Sequence, residues 1–223
     1  MLKRLFAACI VLCLDLILFV VIYEDRKNMG DNIPVTTTFY ENVVALTFDD
    51  GPGIYTGELL EGLKERGVKA SFFVLGERVD CYEEYILQMQ ADGHLIGNHT
   101  FSHVKLDTLN DEAACDEVRR TCEAIENITG EAVKYIRPPY GAYSDKLECA
   151  INLTKVLWTV DPQDWNTTDV HKIVNHVVGN AKDGDIILLH DIYSTSVAAA
   201  LRIVDELLAR GYVFVTVDEI LIE

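Results

Sequence analysis

The sequence predicts an α/β domain built on a parallel sheet, and three observations support that class. Seven short apolar runs, rich in β-branched and aromatic residues, alternate with stretches of helical periodicity. Several runs are apolar throughout, as strands are when helices cover both faces of their sheet. Polar and ionisable residues gather where the predicted strands end. Alternation of this kind is typical of a doubly wound sheet or a barrel.

The predicted strands and helices alternate from Asn42 to the end of the chain. The strands cover residues 43–48, 70–75, 94–98, 134–137, 155–160, 185–190 and 212–217. The helices cover residues 56–66, 81–92, 110–129, 144–153, 169–181 and 196–210. The last helix is amphipathic and ends at Gly211, a residue type that is common just beyond helix C-termini.

Residues 1–23 are predicted to form a transmembrane signal anchor that precedes the fold. The run from Leu5 to Tyr23 has about the length of a membrane span. Asp15 near its middle costs about 3 kcal/mol, which the surrounding apolar side chains outweigh. No small-residue cleavage site follows the run, so we expect an uncleaved, single-pass anchor with the domain outside the cytoplasm. Residues 24–41 are predicted to be a polar tether, and 42–223 the folded domain.

The charge of the chain restricts its partners. Nineteen Lys and Arg residues face 36 Asp and Glu residues, which gives a formal net charge of −17. Nucleic-acid binding requires clustered cationic side chains, so we expect no nucleic-acid partner. The same charge repels anionic polymers and favours a neutral substrate. The alternative is that the charge only keeps the domain soluble.

Four cysteines lie beyond the apolar N-terminal run: Cys81, Cys115, Cys122 and Cys149. Their spacings match no zinc-binding pattern. We expect buried free thiols, and the sequence leaves any disulfide pairing open.

Ionisable and amide side chains occur at the carboxyl ends of five predicted strands: Asp49, Asp50, Asn98, His99, Arg137, Asp161, His190 and Asp191. In β/α proteins the carboxyl ends of parallel strands share one rim, and sites are built there. We therefore expect these side chains to converge.

Two segments of this rim have metal-binding character. Asp49 and Asp50 end the first strand, and His99 and His103 are four residues apart, a spacing that one helical turn would place on one face. A carboxylate with two histidines leaves positions open for water and substrate and suits Lewis-acid hydrolysis. Each signal alone has an ordinary explanation, a helix cap for the acidic pair and surface positions for the histidines.

Three further segments complete a family pattern: Arg137-Pro138-Pro139-Tyr140-Gly141, Asp161-Pro162-Gln163-Asp164-Trp165 and Leu188-Leu189-His190-Asp191. Together with Thr47-Phe48-Asp49-Asp50-Gly51-Pro52 and the His99–His103 segment, in this order, they resemble the polysaccharide deacetylases with a NodB-homology domain, carbohydrate esterase family 4. The resemblance covers roughly residues 42–223. It implies a distorted, incomplete (β/α) barrel with about seven strands.

The resemblance also implies a metal centre and a base. Asp50, His99 and His103 would hold one divalent metal, usually zinc in this family and sometimes cobalt or another ion. Asp49 would be the general base that activates water, and Arg137 would pair with Asp49 and fix its orientation.

The remaining implied roles concern the leaving group and the substrate pocket. His190 would be the general acid that protonates the departing amine, with Asp164 supporting its charged form. The backbone N–H of Tyr140 would stabilise the oxyanion. The substrate pocket would be formed by Trp165, Leu188, Pro138 and Pro139.

The function implied is removal of N-acetyl groups from glycans that contain N-acetylglucosamine, such as peptidoglycan or chitin-like polymers, at the cell envelope. The Thr47–Pro52 segment is more similar to N-acetylglucosamine deacetylases than to the muramic-acid branch of the family. An O-acetyl esterase acting on a polysaccharide such as xylan would use the same mechanism and stays open. A non-catalytic glycan-binding module should have lost the base or a ligand, and a purely structural tethered protein would have no use for the rim.

Overall fold

The computed structural model of the protein describes residues 42–142 and 153–221. The predicted anchor and tether lie outside the described residues, and so does the helix predicted at 144–153, apart from Leu153. Within the two described ranges, no helix is both long enough and apolar enough to cross a membrane.

Seven parallel strands form one sheet in the described part of the chain. They are β1 (Val43–Asp49), β2 (Ser71–Val74), β3 (Leu95–Asn98), β4 (Tyr135–Ile136), β5 (Thr154–Lys155), β6 (Asp185–His190) and β7 (Val213–Val215). Their order is β5-β4-β3-β2-β1-β6, and β7 pairs with β1. The predicted α/β class is confirmed, and each predicted strand has a counterpart.

The strand predicted at 155–160 is wrong beyond its first residue, because this segment crosses between the two edges of the sheet. The N–H of Val156 donates to the carbonyl of Ile136 in β4 (2.9 Å), and the carbonyl of Val160 accepts from Leu188 in β6 (2.9 Å). Two carbonyl groups of the segment bind a buried arginine instead of a neighbouring strand, so ladder pairing stops there. The sheet consequently curls into a half-barrel whose edges this segment connects.

The helices of the described ranges cover the outside of the curled sheet. They are α1 (Thr56–Glu65), α2 (Gly76–Val79), α3 (Glu83–Ala91), α4 (Asp111–Thr129), α5 (Val170–Asn180), α6 (Ser194–Ala209) and α7 (Val217–Leu221). The longest, α4, begins where the side chain of Asn110 accepts from the N–H of Ala113 and ends at Gly130, which has a φ of 70°. The helix predicted at 81–92 begins instead as a 3-10 turn and becomes α-helical only at Glu83.

Strand β1 links the core to the site. Side chains alternate between the faces of a strand, and those of Val44 and Phe48 join the large apolar core beneath the helices. Ala45 joins a smaller apolar cluster inside the curl. By the same alternation Thr47 and Asp49 face the inside, and both are buried. The interior of the half-barrel is therefore apolar at the start of β1 and polar at its carboxyl end.

The cysteines depart in part from the expectation of buried free thiols. Cys122 is a buried free thiol, whereas Cys81 is a free thiol at the surface. Cys115 is disulfide-bonded.

Candidate active site

The carboxyl ends of β1, β3 and β6 open into a cavity of about 450 Å³. Ionisable, aromatic and apolar side chains line it: Asp49, Asp50, His99, His103, Tyr140, Trp158, Asp161, Trp165, Leu188, His190 and Tyr193. Arg137 and Asp164 lie behind the lining, each hydrogen-bonded to one of its members. Of the predicted rim residues, the parallel topology thus brings together Asp49, Asp50, His99, Asp161 and His190. Asn98 is outside the lining, and its side chain instead donates to the carbonyl of Val118 on α4 (2.8 Å).

The two adjacent carboxylates reach the cavity by different backbone conformations. Asp49 is the last residue of β1 and faces the inside of the curl. Asp50 has a φ of 70°, in the left-handed region, so the chain turns away from the strand and its side chain enters the same cavity. This turn overcomes the alternation that would otherwise send neighbouring side chains to opposite faces.

The two predicted metal-binding histidines lie on an irregular loop, and the helical turn expected from their spacing is wrong. Thr100 and His103 both have positive φ, 67° and 57°. A carboxylate oxygen of Glu117, on α4, shapes this loop by accepting from two successive backbone N–H groups (3.0 and 2.8 Å). The rings of His99 and His103 nevertheless lie 5.2 Å apart, so the loop achieves the convergence expected of a helix.

Asp50, His99 and His103 form a group whose ligand atoms all lie within 4.8 Å of one another. Oδ1 of Asp50 lies 3.4 Å from Nε2 of His99 and 3.2 Å from Nε2 of His103. That oxygen is buried and has no hydrogen-bond partner among the described residues, which is the environment of a ligand atom. One carboxylate and two imidazoles form a donor set suited to a divalent transition metal, so the residues fit such an ion.

Hydrogen bonding and charge prepare these side chains for a cation. Nδ1 of His99 lies 2.5 Å from the carbonyl oxygen of Arg137, so Nδ1 carries the proton and Nε2 presents its lone pair. Burial lowers the pKa of His103, against the opposing effect of the Asp50 charge. Burial would raise the pKa of Asp50, but the neighbouring imidazoles of His99, His103 and His190 lower it.

Arg137 lies inside the curl and is paired with Asp49. Its side chain is fully buried, and Nη1 donates to Oδ1 of Asp49 at 2.9 Å. The other carboxylate oxygen of Asp49, Oδ2, faces Nε2 of His99 at 3.7 Å. Asp49 thus has one oxygen held by a buried cation and one directed at the metal-binding group.

His190 and Asp164 form the other side of the cavity. Oδ1 of Asp164 accepts from Nδ1 of His190 (2.8 Å), and Oδ2 accepts from the backbone N–H of the same histidine (2.8 Å). Burial would lower the pKa of His190, but this hydrogen bond and the charge of Asp164 raise it to about 9. The imidazole is therefore a cation at neutral pH, and its Nε2 lies 4.0 Å from Oδ2 of Asp50.

Some of the residues predicted to form the substrate pocket line the cavity. Trp165 and Leu188 line it, as does the exposed side chain of Tyr140. Of the predicted pocket residues, Pro138 and Pro139 are outside the lining; they form the turn that precedes Tyr140.

Two lining aromatics were not predicted. Trp158 is in the segment that was interpreted as a regular strand, and its ring lies 5.7 Å from the guanidinium carbon of Arg137. Tyr193 packs edge-on against His190 at 6.4 Å between ring centroids. The only sequence signal for Tyr193 is its distance of three residues from His190.

Asp191 is another buried carboxylate beside the site. It is fully buried, accepts a hydrogen bond from the hydroxyl of Thr56, and packs against the Cα of Gly51 so closely that a Cβ there would overlap it. Burial raises the pKa of Asp191 to about 7, despite the hydrogen bond from Thr56. It therefore joins the end of β6 to the loop that follows Asp50.

Comparisons with known proteins agree on one family. A family model described as polysaccharide deacetylase matches residues 36–156. The peptidoglycan-N-acetylmuramic acid deacetylase PdaC of Bacillus subtilis (strain 168) is 41% identical over 181 residues, which are 81% of this chain and 39% of the relative. A peptidoglycan-N-acetylglucosamine deacetylase of Bacillus cereus is 39% identical over 190 residues, which are 81% of this chain and 89% of the relative.

A solved structure extends the likeness to the fold. The structure of PdaC from Bacillus subtilis superposes with a TM-score of 0.79 at 41% identity, covering 81% of this chain and 90% of the solved one. This chain spans about two fifths of the full length of PdaC, and it matches nearly all of the shorter Bacillus cereus relative. The resemblance seen in the five sequence segments is confirmed: the chain belongs to the polysaccharide deacetylase family.

Proposed function

We propose that this protein is a metal-dependent N-deacetylase that removes acetyl groups from glycans containing N-acetylglucosamine, at the cell envelope. The observation that carries the proposal is that two different kinds of catalytic group face each other across one cavity. The carboxylate group of Asp49 lies beside a candidate metal site on one side, and a histidine with a pKa of about 9 lies on the other. Amide hydrolysis needs both a base for water and an acid for the amine.

Asp50, His99 and His103 are the proposed ligands of one divalent ion, with zinc the first candidate and cobalt or another ion the alternative. Such an ion would supply a Lewis acid that polarises the acetyl carbonyl and acidifies water. Asp49 is the proposed base: Arg137 holds its Oδ1, and its Oδ2 is directed at the ligand group and free to take the proton from the attacking water.

His190 is the proposed acid. Its Nδ1 proton is bound by Asp164, which leaves Nε2 directed at the cavity with a second proton to donate. As the C–N bond breaks, the amine takes this proton and stays on the sugar, while the acyl group leaves as acetate. Asp164 would hold the imidazole ring in the same orientation before and after it gives up this proton.

The oxyanion and the acetyl methyl group need partners of their own. Tyr140 has a φ of 61°, which turns the chain at the mouth of the cavity, and its backbone N–H is the proposed donor to the oxyanion. Trp165 and Leu188 are the proposed walls for the methyl group.

The substrate class rests on the cavity and on the relatives. The exposed rings of Tyr140 and Trp165 flank the opening, and aromatic faces of this kind bind the apolar faces of sugars. The names of the relatives divide between N-acetylglucosamine and N-acetylmuramic acid as the acetylated sugar of peptidoglycan. Because of the Thr47–Pro52 segment we propose N-acetylglucosamine. The location at the cell membrane is proposed from the apolar run in residues 5–23 alone.

The test is mass spectrometry of defined oligosaccharides after incubation with the purified full chain loaded with zinc. Chitooligosaccharides, and muropeptides that carry both sugars, should lose about 42 mass units each time hydrogen replaces an acetyl group. The loss should occur at N-acetylglucosamine, and each loss should release one acetate. Asp49→Asn protein is the matched inactive control. Loss only from N-acetylmuramic acid would overturn the substrate, and release only from O-acetylated xylan would make the protein an esterase.

A further inference from the structure

Thr47 belongs to the Thr47–Pro52 segment but has no part in the roles described so far. It is fully buried on the inner face of β1. Its hydroxyl donates to the carbonyl of Ile187 in β6 (2.7 Å) and accepts from Nη1 of Arg137 (2.7 Å). A hydroxyl has one proton, so the contact with Ile187 fixes its direction and leaves an oxygen lone pair for the arginine.

Two kinds of contact hold the guanidinium of Arg137: aromatic rings limit its tilting, and hydrogen bonds limit its rotation within its own plane. The rings of Phe73 and Trp158 lie 4.3 and 5.7 Å from its central carbon, which limits tilting. Rotation within the plane is set by the hydrogen-bond acceptors, which are the carboxylate of Asp49, the hydroxyl of Thr47 and two backbone carbonyl groups.

One nitrogen serves both Thr47 and Asp49. Nη1 has two hydrogens, about 120° apart in the guanidinium plane. One is bound by Oγ1 of Thr47 at 2.7 Å and the other by Oδ1 of Asp49 at 2.9 Å. Because the first hydrogen is fixed by a hydroxyl anchored on β6, the direction of the second is fixed as well.

We propose that Thr47 is a positioning residue for the catalytic base. Anchored on Ile187, it sets the angle of Arg137, so that the arginine binds Oδ1 of Asp49 and leaves Oδ2 directed at the metal-binding group. The inference rests on the base role of Asp49 in the proposed function. It requires the hydroxyl group itself: valine has almost the same shape but would leave a buried N–H of a charged group without an acceptor.

The test compares Thr47→Val with Thr47→Ser, using the full chain loaded with zinc. A base misplaced by about 1 Å can cost roughly 100-fold in rate, so Thr47→Val should lower kcat about 10- to 100-fold with KM and bound zinc unchanged. Thr47→Ser keeps the hydroxyl and should stay within about threefold of the native chain.

Thr121→Val is the matched control. Thr121 is also fully buried, but its hydroxyl donates to the carbonyl of Glu117 within α4, away from the arginine. Its valine variant should lower the unfolding temperature and leave kcat unchanged. If Thr47→Val is insoluble, Thr47→Ala and Thr47→Ser decide, since they differ only by the hydroxyl.

The outcomes distinguish failure of the proposed function from failure of this inference. A native chain that releases no acetate from any glycan overturns both. An active native chain whose Thr47→Val and Thr47→Ala variants match Thr47→Ser in kcat overturns the positioning role alone. Loss of zinc from Thr47→Val would also overturn it, because the base and not the metal site is the expected point of action.

Discussion

The two sides of the cavity use the same residue type in opposite states. On the side of the candidate metal site His103 is half-buried and its pKa is lowered, so its nitrogen is available as a ligand. On the opposite side the pKa of His190 is raised to about 9, so the ring is a cation that can donate a proton. Burial by itself acts to lower the pKa of both histidines, so another interaction must cause the difference.

The difference comes from where the carboxylate oxygens lie. Asp164 binds the ring of His190 directly at Nδ1, at 2.8 Å, and stabilises its charge. Asp50 faces the Nε2 atoms of two histidines at once, in the arrangement of a shared ligand set. The comparison teaches that burial alone does not decide what a histidine does; the geometry of its carboxylate partner does.

The largest effect is expected from removing the shared carboxylate. Asp50→Asn should lose bound metal and, at low free metal, all measurable turnover, with partial rescue by excess zinc. Asp49→Asn should keep its metal and still lose turnover about 10²- to 10⁴-fold at every metal concentration, because it lacks only the base. Elemental analysis beside acetate release measures both. Metal loss in Asp49→Asn with metal retained in Asp50→Asn would reverse the two roles.

His190→Ala should separate the two sides of the cavity by substrate. Amide hydrolysis should fall about 10²- to 10⁴-fold, the usual contribution of a general acid or base. An activated aryl acetate should lose much less, because its leaving group departs without a proton. Initial rates on a chitooligosaccharide and on p-nitrophenyl acetate give the comparison, and equal losses on both would show that His190 is not the acid.

Asp164→Asn should shift the pH profile. The reaction needs protonated His190, so activity is lost as the pH rises through the pKa of about 9. Without the charge of Asp164 that pKa falls, and the alkaline limb of kcat/KM should move about one to three units to lower pH. Rates from pH 6 to 10 on both proteins measure the shift. An unmoved alkaline limb would assign it to another group.

Asp191→Asn should change stability more than catalysis. Burial raises the pKa of Asp191 to about 7 from 3.8, so between these values the folded chain holds a proton that the unfolded chain has released. This contribution to stability is complete below about pH 4 and is lost as the pH rises through about 7, at roughly 1.4 kcal/mol per unit. Denaturant unfolding at pH 5 and pH 8 measures the free energy of unfolding of both proteins. Relative to the native chain, the variant should be more stable at pH 8 than at pH 5. A constant difference would show that Asp191 stays charged.

The sequence predicted the elements whose signals are local. Strand β1 is a continuous apolar run, and α4 begins and ends at residues that favour helix termini, so their bounds lie within one residue of those expected. The segment at 155–160 has the composition of a strand, but two of its carbonyl groups bind an arginine that lies 19 and 20 residues earlier in the chain. The amino-acid composition of a segment does not indicate a contact with a residue so distant in the sequence.

The site was predicted from family motifs more fully than from spacing. Motif residues at Asp49, Asp50 and His190 all reach the cavity. The spacing of the two histidines suggested a helix, but Glu117 on α4 holds them in a loop with left-handed residues. Tyr193 enters the cavity only because α6 begins beside β6, a placement that no short motif encodes.

Strand β1 has partner strands on both sides, β6 along one edge and β7 followed by β2 along the other. Its amide hydrogens should therefore exchange with solvent only when the whole domain opens, whereas those of the loop that carries His103 should exchange by local opening. On warming, the loop that supplies two ligands will loosen while the strand that ends in Asp49 is still intact. Heat should then release a metal ion bound by these ligands from a domain whose sheet is still folded.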